Sequence, residues 1–314
     1  MRALVTGGAG FIGSALVDRL MADGHDVDVV DDLSSGSLAN LSYARSLPDR
    51  KLRFHQLDVR HGGLADLVAR RPPEVIYHLA AQADVRVSVA RPVFDAEVNI
   101  YGTIQILEAA RNAGVGRVVF AASGGTLYGR PAELPVDEDA PKVPLSPYGV
   151  SKKAAVDYLM AYRELYDIEC VALALANVYG PRQDPHGEAG VVAIFGGNLL
   201  GGRRCTIYGD GSQTRDFVYV DDVVDAFVRA AERGGGMLLN IGTGTETSVL
   251  ELFKIMSAAT GGDSEPRYAP ARPGELQRSA LDPSRAAVHL GWRASTRLED
   301  GVAATLDHLG GTDR

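Results

Sequence analysis

Six short runs dominated by Val, Ile, Leu and Ala constrain this chain more than any other feature: RALVT from Arg2, DVDVVD from Asp26, LRFHQLD from Leu52, EVIYHLA from Glu74, RVVFAA from Arg117 and IECVALA from Ile168. Their apolar residues are nearly continuous, whereas a strand with one wet face would alternate, so each run is expected to be a strand covered on both sides. Between the runs lie helical patterns over residues 12–22, 93–112 and 147–166, the second closed by Asn-Ala-Gly and the third opened by Ser-Pro. Strand and helix in alternation predict an α/β fold built on a doubly wound, Rossmann-type parallel sheet. A chain of 314 residues buries roughly 75% of its unfolded surface, enough for a substantial core.

After about Ala174 the pattern gives way to Gly/Pro-rich segments, YGPRQDPHGEAG and later GDGSQTRDF, with isolated helices between them. The expected division is a Rossmann domain over residues 1–174 and a smaller, loop-rich α/β substrate lobe over residues 175–314. A helix and strand within about 218–243, VDDVVDAFVRAAERGG and LLNIGTG, are expected to return to the main sheet. No apolar run approaches the length of a membrane span, and MRALVTGGAGFIG has no signal-peptide pattern, so a cytoplasmic protein is expected. Cys170 and Cys205 form no disulfide framework and have no neighbours at metal spacing; both are expected to be structural thiols, with no metal site. A net charge of −8 offers no basic face for nucleic acid, which leaves a small anion as the expected kind of partner.

The segment TGGAGFIG follows the first strand and opens the first helix, with Gly7, Gly10 and Gly13 three residues apart. Glycine lets backbone approach a pyrophosphate closely, and the helix N-terminus at Phe11 and Ile12 favours its charge, so a dinucleotide is expected here. The second strand ends at Asp31, 18 residues beyond Gly13, where a carboxylate can accept the adenosine ribose hydroxyls. Asp31 and Asp32 would repel a 2′-phosphate, and the next basic residue along the chain is Arg45, which favours NAD over NADP. Asp58, closing the third strand, is placed to reach the adenine. Tyr148 and Lys152 in SPYGVSK stand one helical turn apart on one face. A phenol ionises near pH 10, and a fixed ammonium beside it favours the phenolate, so this pair suits proton transfer.

The series TGGAGFIG, HLAA, SGGTLYG, YGVSK and NVYGPRQ, in this order, resembles the extended short-chain dehydrogenase/reductase family, most closely its UDP-glucose 4-epimerase-like members, over nearly the whole chain. The resemblance implies a tightly held NAD, a UDP-sugar substrate in the second lobe and Tyr148 as acid/base, with Lys152 holding the nicotinamide ribose. It extends the cofactor contacts to Val59, Leu79, Ala80, Ala81 and Asn99. It assigns Asn177 and Arg215 to the nucleotide diphosphate, and Arg272 and Glu275 of ARPGEL to diphosphate and ribose. A homodimer is the family's habit. The implied reaction is epimerisation at carbon 4 through a transient 4-keto sugar.

Departures from the family pattern narrow the substrate. Dehydrating members carry Asp-Glu directly after the catalytic hydroxyl residue, where this chain has Gly124 and Gly125, so loss of water has no catalyst. Asp184 and Glu188 disfavour an acidic sugar, although Arg86 or Arg182 could compensate, and a UDP-glucuronate 4-epimerase or another nucleotide-sugar oxidoreductase stays as the alternative. Ser279 stands where strict glucose/galactose epimerases tend to be bulky, which leaves room for UDP-N-acetylhexosamines. Ala174 and Leu175 replace the Arg-Tyr or Arg-Phe often found beside the nicotinamide. Of two hydroxyls in FAASGGTLYG, Ser123 at the strand end is expected to bond the sugar 4-hydroxyl and assist Tyr148; Thr126, beyond the glycines, is the second catalytic candidate for that role and otherwise packs the loop. The reading from a different class is a non-catalytic NAD-binding sensor, against which Tyr148 and Lys152 both argue.

Overall fold

The computed structural model describes residues 1–48, 51–185, 190–262, 264–272 and 276–311. Its centre is a seven-stranded sheet of β1 (Arg2–Thr6), β2 (Asp26–Asp31), β3 (Leu52–Gln56), β4 (Val75–His78), β5 (Arg117–Ser123), β6 (Glu169–Leu175) and β7 (Met237–Ile241), in the order β7-β6-β5-β4-β1-β2-β3. Every pairing is parallel. Val5 lies beside Val29 and Tyr77, and Phe120 beside His78 and Ala172.

The continuous apolarity of the strands has its counterpart in two cores. Consecutive residues Leu4 and Val5, or Ile76 and Tyr77, enter opposite ones, as period-two side-chain alternation requires. On one face the sheet meets α1 (Phe11–Ala22) through Leu16 and Leu20, and a helix over Val220–Ala230 through Val223 and Phe227. On the other it meets α2 (Gly63–Arg70), α4 (Gly102–Ala113) and α5 (Pro147–Tyr166) through Leu64, Ile106 and Leu159. Helix Val220–Ala230 and strand β7 rejoin the main sheet, β7 pairing with β6 from Met237 beside Val171 to Ile241 beside Leu175. A third core gathers Phe195, Ile207, Phe253 and Leu306 from the remainder of the second half. Cys170 and Cys205 are both buried free thiols, and burial pushes them up to about 12 and about 11. Among the described residues no helix is long and apolar enough to cross a membrane.

Two elements are shorter or less regular than the apolar pattern predicts. The strand of LRFHQLD stops at Gln56, because Asp58 turns its carboxylate onto the Arg60 N–H at 2.8 Å and the chain leaves the sheet. The helix expected over 93–112 is broken into α3 (Pro92–Ala96), a π-helical turn Glu97–Tyr101, and α4. Such turns offset side chains from the regular helical register and often occur at functional sites. The chain order reverses between β1 and β4, where the loops at their C-terminal ends part to form the crevice used for ligands in open α/β sheets.

Candidate active site

The loop after β1 is shaped by two close approaches. Gly7 holds φ at +69°, and a Cβ there would lie 2.7 Å from the Ala80 nitrogen in the loop after β4. At Gly13, a Cβ would lie 2.0 Å from the Gly7 carbonyl oxygen, so α1 can pack this tightly on the turn only without a side chain. Helix α1 starts at Phe11 with Gly10 as an uncapped N-cap and no acid in its first turn. Its leading amides, Phe11 and Ile12 among them, are therefore not answered by a capping side chain and form an anion-receptive end. Leu79, Ala80 and Ala81 line the neighbouring loop, half-buried.

Asp31 is buried at the end of β2; Oδ2 accepts from Ala9 N–H and Oδ1 from Leu33 N–H, each at 2.9 Å. Burial raises its pKa above the usual carboxylate value, and the two amides oppose that. Each oxygen keeps a lone pair for a further donor. Asp32 instead accepts from Ser34 N–H at 2.9 Å and from its hydroxyl at 2.6 Å. Tertiary structure adds a cation that sequence distance concealed: Arg60 Nε lies 3.0 Å from both oxygens of Asp58 and its Nη1 3.4 Å from Glu97, within electrostatic influence of Asp32. Hydrogen bonding to Arg60 holds Asp58 below its usual range. The signal was the spacing Asp58-Val59-Arg60; Val59 itself is buried against Gly102.

Asn99 lies in the π-helical turn, and its amide is engaged within the protein. Nδ2 donates to Gln82 O at 2.9 Å and to Asp95 Oδ1 at 3.0 Å, while Oδ1 accepts from Gln82 N–H at 3.0 Å. It thus fixes the loop after β4. Below that loop, His78 is buried between Thr6 and Thr103. Thr103 donates its hydroxyl proton to Asn99 O at 2.7 Å and so accepts from His78 Nε2; Thr6 accepts from Ala80 N–H and donates to Nδ1 at 2.7 Å. The network selects a neutral imidazole carrying its proton on Nε2. Burial, with the nearby Lys152 charge, pulls its pKa down to about 3.

Helix α5 carries Tyr148 in its first turn, opened by Pro147 and by Ser146, whose Oγ accepts from Gly149 N–H at 3.2 Å. Lys152 is only 3% exposed. Its Nζ donates to Ala121 O at 2.9 Å, and stands 4.6 Å from the Phe120 ring centre and 5.8 Å from that of Tyr148. Burial lowers Lys152 to about 8, with Asp95 opposing. Ser123 ends β5 at the same edge of the sheet, beside Leu175; its hydroxyl makes no hydrogen bond to a described residue, whereas Thr126 Oγ1 turns back to Ser123 O at 3.4 Å. Ala174 and Leu175 are buried in β6.

The second half brings Asn177 to the mouth of this site, 4.0 Å from where a Gly125 Cβ would stand. Arg215 Nη1 donates to Thr214 O at 2.7 Å and to Leu276 O at 2.8 Å, which bridges a strand to the segment after ARPGE. Arg272 is exposed and stacks 3.9 Å from the Tyr208 ring centre; Tyr208 is a contact that sequence reading missed and that only the parallel pairing of Thr206–Tyr208 with Arg267–Ala269 brings about. Ser279 is half-buried. Glu275 and Glu188 lie outside the described residues. Arg182 is tied to α1 through Asp18 and, at 3.2 Å, the Ser14 hydroxyl, which removes it as a ready partner for a sugar carboxylate. Arg86 is on the surface against Asp84, Nη2 to Oδ2 at 3.3 Å.

The chain is similar to known proteins along nearly its whole length. The family described as GDP-mannose 4,6 dehydratase matches residues 4–305. A UDP-glucose 4-epimerase of Mycolicibacterium smegmatis is 54% identical over 308 residues, covering 98% of each chain. Among solved structures, UDP-glucose 4-epimerase from Thermotoga maritima with UDP-glucose aligns with TM-score 0.96 at 43% identity over 100% of both chains. The UDP-glucose 4-epimerase of Thermus thermophilus in complex with NAD aligns with TM-score 0.91 at 42% identity over 99% of both. Matched in fold and sequence along nearly its whole length, the chain belongs to the extended short-chain dehydrogenase/reductase family, in its UDP-glucose 4-epimerase-like group.

Proposed function

We propose that the chain is an NAD-dependent isomerase that epimerises carbon 4 of UDP-hexoses, interconverting UDP-glucose and UDP-galactose. The observation that carries this reading is the buried Lys152 one turn from Tyr148, at the sheet edge that also presents Ser123 and the glycine loop. The residues fit a dinucleotide: the α1 amides lack a side-chain cap, Gly7 and Gly13 leave no room for Cβ atoms, and Asp31 offers ribose acceptors. Held by these residues, NAD would supply the hydride acceptor and donor that epimerisation at carbon 4 requires.

Tyr148 takes the proton of the 4-hydroxyl as the carbon–oxygen double bond forms, and gives it back when the sugar is reduced. Lys152 favours the phenolate by its charge. The free Ser123 hydroxyl is the better placed of the two to bond the 4-oxygen. Asn177, Arg215, Arg272 and Glu275 are assigned to the UDP portion, two arginines suiting a pyrophosphate. Ser279 leaves space for a 2-acetamido group; failure of UDP-N-acetylglucosamine to yield a 4-epimer where UDP-glucose turns over would remove that extension.

The proposal includes a homodimer and operation in the cytoplasm, in galactose metabolism. Support for the dimer comes from Val93, Tyr101, Val150 and Leu165, apolar side chains exposed at 71%, 48%, 51% and 69% on adjoining helical segments, which a second copy would cover. The deciding experiment is NMR of UDP-glucose incubated with the protein as purified, without added cofactor. UDP-galactose is expected, with transient absorbance at the nicotinamide band; neither product nor absorbance would favour the sensor reading.

A further inference from the structure

We infer that Asp95 is the counter-charge of Lys152, a positioning residue that keeps the ammonium beside Tyr148 cationic. This rests on the reading of Tyr148 and Lys152 given above. Asp95 lies in the short helix α3 before the π-helical turn and is 0% exposed. Its Oδ2 accepts from the Ser151 hydroxyl at 2.6 Å, and its Oδ1 from Gln82 Nε2 at 2.9 Å and Asn99 Nδ2 at 3.0 Å. All three donors are neutral, and no described cation lies within salt-bridge distance of it. Ser151 immediately precedes Lys152, whose own partners are a backbone carbonyl and two ring faces.

Two opposite charges are thus buried on adjoining elements, and neither has another compensating ion among the described residues. A buried charge without compensation is costly, so each is explained by the other. Among the described residues, the remaining titratable groups facing Lys152 are His78 from β4, held neutral, and Tyr148 from its own helix; β5 contributes Phe120 and the Ala121 carbonyl. Asp95 is also the group that opposes the lowering of Lys152 by burial.

Asp95→Asn separates charge from hydrogen bonding. Asparagine can accept from Gln82 and Asn99 and donate to Ser151, so the contacts survive and only the charge is lost. The chain has five lysines, few enough for each to be followed by 13Cε NMR, with Lys152→Met identifying the signal of interest. In the wild type the Lys152 midpoint is expected near 8. Removing the anion disfavours the cationic form, so the midpoint in Asp95→Asn is expected to fall by about one pH unit, a tenfold change in acidity. Ser151→Ala, which loses a hydrogen bond but leaves both charges, is expected to shift it by less than half as much. An unmoved midpoint in Asp95→Asn, or an equal shift in Ser151→Ala, overturns the pairing.

The alkaline limb of kcat is expected to move to lower pH with the titration. A moved titration beside an unmoved rate profile would count against the catalytic reading of Lys152 and leave the pairing standing. Should Asp95→Asn not accumulate as folded protein, the double variant Asp95→Asn/Lys152→Met is expected to regain stability, because the lone buried cation is gone. A double variant melting no higher than the single one overturns the pairing as well.

Discussion

Ser123 and Thr126 offer the same functional group in different states of employment. The threonine hydroxyl is spent on the Ser123 carbonyl, and the serine hydroxyl makes no hydrogen bond to a described residue. Ser123→Ala is therefore expected to lower kcat more than Thr126→Val in a coupled UDP-galactose assay, and the opposite ranking would exchange their roles. Tyr148→Phe is expected to cost about 100-fold to 10,000-fold, the usual effect of losing an acid/base group; a fully active variant would remove Tyr148 from the chemistry. His78 makes a different prediction, about stability. Its folded pKa of about 3 lies below the ordinary histidine value of 6.5, so the unfolded chain binds the extra proton between those limits and stability falls as pH drops through that window. The loss attributable to His78 approaches about 1.4 kcal/mol per pH unit. Denaturant melts of wild type and His78→Gln between pH 6 and 4 should differ in slope by about that much, and parallel slopes would refute it.

At the level of elements, the contact between the glycine loop and α1 is the most demanding. Gly13→Ala places a methyl 2.0 Å from the Gly7 carbonyl, against backbone that cannot give without moving the whole turn. Overpacking of this kind costs about 1–3 kcal/mol, and the shifted turn is expected to release NAD; thermal melting and the cofactor content of the purified variant measure both. This motif was legible because strand, glycine spacing and helix are contiguous in sequence. The π-helical turn at Glu97–Tyr101 was not legible, because the apolar spacing of VNIYGTIQIL is compatible with ordinary helix. Only the network at Asp95, Asn99 and Gln82 shows what that turn arranges.

For the whole molecule, the exposed apolar residues on the helices flanking one side of the sheet set the expected assembly. Leu165→Glu places a charge in that surface and is expected to convert a dimer into a monomer by light scattering, with little change in melting temperature measured on the monomer. A wild-type mass of one chain would remove the dimer from the proposal. The return of Val220–Ala230 and β7 to the main sheet lies at the same scale, since it ties the second half of the chain to the first.

The parallel sheet, the glycine loop at its first crossover and the Tyr148–Lys152 pair are legible in the amino-acid order, because each is written in residues a few positions apart and follows from strand burial, backbone access or helical pitch. Packing of the folded chain set what depends on residues far apart in it. It brought Arg60 within electrostatic reach of Asp32, carried Arg182 away to Asp18 on α1, and laid Arg272 on Tyr208. It also buried Asp95 against Ser151, the neighbour of Lys152, with Asp95 and Lys152 57 residues apart in sequence. Charges separated by that distance carry no local signal, and their pairing is imposed by the packing of the helices that hold them.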